Sequence, residues 1–517
     1  VTPSRRHSRS SVTLPRLFAA ALSACCAFAA IGDPTGQTDS RAAIQSAIDA
    51  AANTGGGTVS LVQGTYLLNS YRPSTHPWKF YNLRVPSNVT LEGGPGTVLL
   101  QGPGGRAPLP TNADYVENDV IAVGTAQYQE ITFQQPWLNG GFHPAAPTTA
   151  GDTSVRLASY GDGASFAPGD LVVVYSSTIG DVLPGEPTGV VSVDPSLGSL
   201  QLTAPLARTF SRAYVARVTR LATTNVVLRN LTVHGAVPLV ATETFDLSLF
   251  NCDLVYDTAV DPANLVTGMI VNTVRRFTMQ NGSIQPAASQ YTSLELPQRD
   301  SQDVTFDSVL FKAKSVVFGE YAAHWKLTNN QVWLYPDTMT TVGLATGGLD
   351  VEVSGNSVQG GNITAGNGSG ALIADYAGLE AYLAYIGNIT FRSNTIACRA
   401  DGNSCMRVTT RDPVITNNRI TATGTACGIK IEGLSDNFVL TDNVINVGAG
   451  PALILNVGAF QGMMSGNLLS GAGSHAVYLH GSPSPIVVDQ ISSRNRISGF
   501  RSPVLMIPTR RPAQPPR

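Results

Sequence analysis

Arg407, Lys430 and Glu432, with Arg411 close behind the first, are the residues whose types and spacing could do chemistry. Each of the first three is the polar member of a short alternating run, Met406–Val408 or Ile429–Glu432, so each projects from the face opposite its apolar neighbours. Two cations one repeat apart repel each other unless an anion lies between them. Glu432 is one candidate for that anion and a substrate carboxylate is the other. Arg407 suits bidentate contact with such a carboxylate, and Lys430 supplies a point charge. Against a uronate, neutralising the carboxylate acidifies the C5–H, and Lys430, Tyr478 or His480 could take that proton and start β-elimination.

A second set gathers at the ends of earlier runs: Glu295, Arg299, Asp300, Glu320, Tyr321 and His324. With Asp375 and Tyr376 it could supply the two carboxylates of a glycoside hydrolase, Glu295 and Asp375 being the pair. Arg299 and Asp300 read equally well as a surface ion pair. Asp375 opens the stretch DYAGLEAYLAYIG, whose Tyr376, Tyr382 and Tyr385 could stack on sugar faces or pack their own loop. A third group, Tyr71, Arg72, His76, Trp78, Lys79 and Tyr81, is rich in sugar-binding residue types but lacks catalytic spacing, and loop packing is the reading adopted for it.

These residues must be positioned by a repeat. A turn followed by Asn and an apolar pair returns at Asn330, Asn356, Asn394, Asn418, Asn443, Asn467 and Asn495, with looser copies at Asn230, Asn251, Asn281 and Asp307. Such a period marks a solenoid, in which one coil cannot bury its own apolar face and neighbours must share a core. Runs such as Gly428–Gly433 and Asn437–Ile445 alternate with period two, so the repeat is β. At one bend per coil, stacked Asn amides bond to those above and below. The outward positions, coil by coil, are Ile270 and Asn272, Glu295, Val317, Gly343 and Ala345, and Leu372. They continue as Arg407 and Thr409, Lys430 and Glu432, Ile454 and Asn456, and Tyr478 and His480.

Ser40–Asn53 is the one convincing helix, with Ile44, Ala47, Ile48 and Ala51 on one face and Asp39 or Ser40 as its cap. It suits a lid over the first open coil. The repeat breaks between about 151 and 218, where GDTSVRLAS, DLVVVYSS, GVVSVD and GSLQLTAPL read as a small antiparallel insert. With 33 Lys and Arg against 35 Asp and Glu, no basic stripe points to nucleic acid, and no apolar run is long enough for a transmembrane segment. Arg5, Arg6, Arg9 and Arg16 before apolar Leu17–Phe28 read as an export leader. Leu22–Cys25 fits a lipobox that would leave a lipid anchor at Cys25, while Ala27–Ala29 fits ordinary cleavage. Cys398 and Cys405 flank RADGNS and either pair or stay as buried thiols.

The opening Gly32–Leu68, GDPTGQTDSRAAIQSAIDAAANTGGGTVSLVQGTYLL, resembles that of pectate-lyase-like right-handed parallel β-helix proteins. The shared features are Gly-Asp, Thr-Asp, an AIQ-AID helix, a GGG turn and a G-x-Y strand. The resemblance implies an all-β right-handed parallel β-helix, an extracytoplasmic setting as a secreted, periplasmic or lipid-anchored surface protein, and a polysaccharide partner. It also implies that the sugar chain lies along one sheet, across several coils. The fold hosts lyases, hydrolases, epimerases and binding proteins, so it does not fix the reaction. The Asp-Asp and Gly-His-Gly signatures of polygalacturonase-like relatives and the Asp-Pro-His of epimerase-like ones are absent. The expectation is a leader over 1–29, one β-helix domain over 30–507 with its insert and capping helix, and a disordered tail over 508–517. The preferred activity is elimination on an acidic glycan. The alternatives are hydrolysis through paired carboxylates and non-catalytic glycan binding, as a monomer or a trimer. Calcium is possible, although no dense Asp cluster demands it.

Overall fold

The computed structural model describes residues 31–507 apart from 75–77, 112, 125–141, 177–184, 211, 220–221, 258, 260–263, 289–292, 297–300, 319–322, 335–343, 347–348, 361–362, 366–386, 400–403, 411, 434–436, 458–461 and 481–484. The leader with Cys25 and the tail lie outside the described residues.

The opening motif folds around one carboxylate. Asp33 accepts hydrogen bonds from the backbone N–H of Thr35, Gln37 and Thr38 and from the hydroxyls of Thr35 and Thr38. The helix Arg41–Asn53 follows and buries Ile44 and Ile48, with Ala47 and Ala51 against the same core. Its start is held by Asp39, whose Oδ1 accepts from the N–H of Arg41 at 3.1 Å, whereas the Ser40 hydroxyl turns away to accept from the N–H of Asp33. The helix ends at Gly55–Gly57, all at positive φ. A Cβ at Gly56 would lie 2.5 Å from the carbonyl of Asn88, so the turn demands glycine there.

Each coil then carries three strands. In one repeat a leading strand, Ala323–Thr328, turns through Asn329-Asn330 into a middle strand, Gln331–Leu334, and a closing strand, Leu344–Thr346, completes the circuit. Leading and middle strands stack in parallel and, with the earliest closing strands, make up a 27-stranded sheet, while nine closing strands from Ser293–Leu296 to Ser502–Ile507 form a second sheet. Inward residues of all three strands make one continuous core from Ile44 to Ile491. In the earlier coils the closing strands Lys79–Val85 and Glu117–Val123 pair with each other, and the latter pairs with the first half of Val237–Phe250.

The interior Asn ladder runs from Asn330 to Asn495. Asn418 is typical: its Oδ1 accepts from the N–H and Nδ2 of Asn394, both at 2.9 Å. Its Nδ2 donates to Asn443 Oδ1 at 2.9 Å and to the carbonyl of Phe391 at 3.0 Å. The residue before each ladder Asn from Asn330 to Asn467 is left-handed: Asn329, Gly355, Ser393, Asn417, Asp442 and Gly466. The looser copies differ in frame. Asn230, Asn251 and Asn281 occupy that left-handed position, and the interior place belongs to the next residue. At Cys252 the thiol takes the amide's role and donates to the carbonyl of Leu228 at 3.4 Å. Asp307 sits one residue earlier still, bonded to Thr328 and Asn329 on the outside.

A separate six-stranded antiparallel sheet is inserted in the chain between the closing strand Glu117–Val123 and the leading strand that begins at Thr223, and packs Leu171 and Val173 against Phe245 of the coils. It takes in Phe142–Pro144 and Ala213–Thr219 and has its own core of Val155, Val172, Val174, Leu200, Phe210 and Val215. A second helix, Pro485–Arg494, replaces the leading strand of the last coil and buries Ile491. Its short apolar run followed by polar residues reads like another strand, because a lid needs one apolar stripe and little more. Cys398 and Cys405 form a disulfide, while Cys252 and Cys427 are free and buried. Among the described residues no helix is long and apolar enough to cross a membrane.

Candidate functional site

Closing strands Ser404–Val408, Cys427–Gly433, Leu453–Val457 and His475–His480 lie side by side. Met406, Val408, Ile429, Ile431, Leu453, Leu455, Val477 and Leu479 point into the core and are at most 1% exposed. Alternation therefore turns Arg407, Lys430, Ile454 and Tyr478 outward in one row, and Glu432, Asn456 and His480 in the row beside it.

Arg407, Lys430 and Glu432 come together. Arg407 reaches diagonally across the strand gap and donates Nε and Nη2 to Glu432 Oε1 at 2.9 and 2.5 Å. Lys430 Nζ lies 2.5 Å from Glu432 Oε2. Glu432 is only 9% exposed. Burial pushes its carboxyl up, but the hydrogen bonds from Lys430 and Arg407 and their two charges outweigh it, holding Glu432 below the usual carboxylate range. The Arg407 side chain keeps 45% and that of Lys430 33% of its surface in water. The triad thus has an internal anion, a surplus positive charge and cationic groups open to a second anion.

Tyr478 and His480 lie on the same face two strands further along, roughly 9.5 Å away by strand spacing. The Tyr478 hydroxyl shares a hydrogen bond with Ser474 Oγ, and the His475 ring packs at a tilt against that of Tyr478. Glu295 is on the same sheet but four strands before Arg407, roughly 19 Å away. Asp375, Arg299, Arg411, Tyr376 and Tyr382 lie outside the described residues, as do Asp300, Glu320 and Tyr321. Thr364, not Leu372, stands beside Arg407 in the register, because the strand Ile363–Ala365 closes that coil.

His324 does not join Glu295. It heads a leading strand on the other sheet, where its ring nitrogens lie 3.2 Å from Asp303 and 3.4 Å from Asp350. Asp246, Arg276, Asp303, His324, Asp350 and Asn388 all have positive φ and stack at one outer corner. Arg276 bonds Asp246 and Asn388 bonds Asp350, so this is a second, solvent-facing ladder of alternating donors and acceptors. Among the described residues no group of three or more His, Cys, Asp or Glu gathers to hold a metal ion. The sequence reading missed Glu117 and Asp119, two acids alternating with Asn118 on a closing strand. Their signal was an E-N-D run bounded by Val116 and Val120, which is short enough to pass as a loop.

Sequence comparison matches residues 315–492 to the right handed beta helix region. No curated protein matches the chain. Among solved structures, the tailspike gp61 of Pseudomonas phage phi297 is 13% identical, with 86% of this chain and 69% of that one covered and a TM-score of 0.50. The gp54 tailspike of Acinetobacter baumannii bacteriophage AP22, solved in complex with A. baumannii capsular saccharide, is 10% identical, with 92% and 75% covered and a TM-score of 0.51. The chain is an all-β right-handed parallel β-helix protein, and at this level of fold its likeness to pectate-lyase-like proteins holds.

Proposed function

We propose that the closing face binds an acidic polysaccharide lengthwise, in an extracytoplasmic setting, with Arg407 and Lys430 gripping a carboxylate of the chain. The observation that carries this reading is the ion triad: two cations, half open to water, are held side by side by a carboxylate beneath them. A guanidinium and an ammonium so fixed lose little freedom on receiving a further anion. Strand stacking offers the polymer a set of outward positions on every coil, so a chain lying along the face would meet Arg407, then Lys430 and Glu432, then Ile454 and Asn456, then Tyr478 and His480. The AP22 tailspike, a β-helix of the same kind, is seen with a saccharide, which supports a glycan as the partner.

Elimination at this triad would need a proton acceptor beside it. Lys430 is engaged with Glu432, and Tyr478 and His480 are two strands away, so the geometry favours a grip over a reaction centre. The test is to measure binding of polygalacturonate, alginate and neutral dextran, with ultraviolet absorbance of unsaturated products followed in parallel. Arg407→Ala and Lys430→Ala should each weaken binding to the uronates about tenfold, as loss of a charge-assisted hydrogen bond does. Dextran bound as tightly as the uronates, or uronate binding untouched by both substitutions, would defeat the reading.

A further inference from the structure

The same outward face carries a different arrangement near its N-terminal end. Closing strands Lys79–Val85 and Glu117–Val123 pair with Lys79 beside Glu117 and Tyr81 beside Asp119. Ser74, Lys79, Tyr81, Glu117, Asp119 and Thr242 line a small pocket there. Lys79 Nζ lies 3.1 Å from Glu117 Oε2, and both side chains are more than nine-tenths buried. The alternating partners Asn118 and Val120 point inward, Asn118 to bond Ala107 and Asn264 and Val120 into the core. Lys79 and Tyr81 thus belong to a strand, not to the packed loop that the sequence suggests.

Asp119 is the anomaly. It is 5% exposed, and its Oδ1 is buried with no hydrogen-bond partner. Burying a carboxyl oxygen without a partner is costly, and native proteins keep few such groups without a use for them. Burial pushes its pKa well above the usual carboxylate range, the nearby charge of Glu117 pushes it further, and Lys79 pulls it back less. Burial therefore favours the protonated form of Asp119, while Glu117 sits in a buried ion pair with Lys79. Two carboxyls whose surroundings drive their protonation apart are the equipment of acid–base catalysis.

We propose that Asp119 and Glu117 are the general acid and general base of a glycosidase site that hydrolyses a glycosidic bond of a polysaccharide lying on this face. Asp119 passes its proton to the glycosidic oxygen as the bond from the anomeric carbon to that oxygen breaks. A water oxygen bonds to the anomeric carbon and gives its proton to Glu117. One water is consumed and one reducing end appears. Glu117 then releases its proton to solvent and Asp119 regains one. Alternate residues on a strand are about 6.6 Å apart at the backbone and point the same way, so the two acids stand side by side along the face. This site uses neither Arg407 nor Lys430, so it does not depend on the carboxylate grip.

The experiment incubates the full chain with polygalacturonate, alginate, hyaluronate, dextran and a purified bacterial capsular polysaccharide. Reducing ends and ultraviolet absorbance are followed together. Reducing ends without unsaturated product are expected, and Asp119→Asn and Glu117→Gln should each lower the rate at least about a hundredfold. Arg392→Ala, at a surface ion pair, should leave it unchanged. The infrared band of a protonated carboxyl at neutral pH, absent in Asp119→Asn, reads the acid directly even if activity changes for other reasons. The rate should fall as pH rises through the pKa of Asp119, with Lys79, Glu117, Tyr81 and Arg84 the charged or titratable groups facing it. Reducing ends from none of the polymers, unsaturated product, an ionised Asp119 at neutral pH, or an Asp119→Asn rate within threefold of the parent would each overturn the proposal. Uronate binding untouched in Arg407→Ala and Lys430→Ala, with hydrolysis of a neutral polymer intact, would defeat the grip alone.

Discussion

Replacing Glu432 with Gln separates a structural anion from one that touches the glycan. In the parent, Glu432 accepts from Arg407 at 2.5 and 2.9 Å and holds Lys430 at 2.5 Å. Gln keeps the shape and removes the charge, so two cations face each other without their counter-ion. Truncating one partner of a fully buried pair costs about 3–5 kcal/mol. Arg407 is half exposed and Lys430 a third, so about 2 kcal/mol of lost stability is expected here. Binding should move the other way. A glycan carboxylate bridging the same cations would lie about 5 Å from that of Glu432, a repulsion of about 3 kcal/mol at an effective dielectric of 20 and below 1 kcal/mol in bulk water. Relief of about 1 kcal/mol is a reasonable value for a half-open site, or about fivefold tighter binding. Urea unfolding and calorimetric titration with polygalacturonate at low and high salt would measure both. The tightening should shrink at 1 M salt, where the screening length is about 3 Å. Because the Glu432 pKa is lowered on folding, its contribution is present above the ordinary glutamate range and is lost as pH falls through the folded pKa. Parent and Glu432→Gln should therefore converge in stability only in acid. Binding lost as in Arg407→Ala would refute the reasoning, because Glu432 would then have to contact the glycan itself.

Three further outcomes follow from the frame. Asn418→Ala strands the N–H of Asn394 and removes the bonds to Asn443 and Phe391, so it should cost about 2–4 kcal/mol. Asn388→Ala, on the exposed ladder, should cost less than about 1 kcal/mol, and equal losses in urea unfolding would deny the interior ladder its role. The disulfide Cys398–Cys405 closes a separation of seven residues, so the double Cys→Ser variant should lose about 2.5 kcal/mol, and reductant should produce the same loss in the parent alone. The hydrogen bond to Asp303, opposed by burial, raises the His324 pKa. That contribution is fully present below about pH 6.5 and is lost as pH rises through the folded pKa. It should amount to less than about 1 kcal/mol for so open a pair, and His324→Asn should flatten this limb of the stability profile.

What the sequence determined by itself was everything that rests on short-range repetition. Period-two alternation put Arg407, Lys430 and Glu432 on one face, and a returning Asn at one bend announced the stack, because identical side chains at identical bends can only ladder. The capping helix declared itself by Ile44 and Ile48 at helical spacing. The frame of the early copies was not legible: Asn suits both the left-handed turn position and the interior ladder, and only backbone φ separates Asn251 from Asn330. Nor was it legible that His324 and Glu295 lie on different sheets. Each heads a short alternating run, and the faces of a coil differ in where the chain bends, not in composition. Whether Arg407 and Lys430 awaited a substrate anion or already held Glu432 was decided by a diagonal reach across a strand gap. Glu117 and Asp119 became a candidate site only because parallel register set them beside Lys79 and Tyr81, nearly forty residues earlier, and burial left Asp119 Oδ1 without a partner. Alternation and turn chemistry are written within a few residues, whereas the neighbour across a strand gap is chosen by the lengths of all the loops between, and that choice exists only once the coils are stacked.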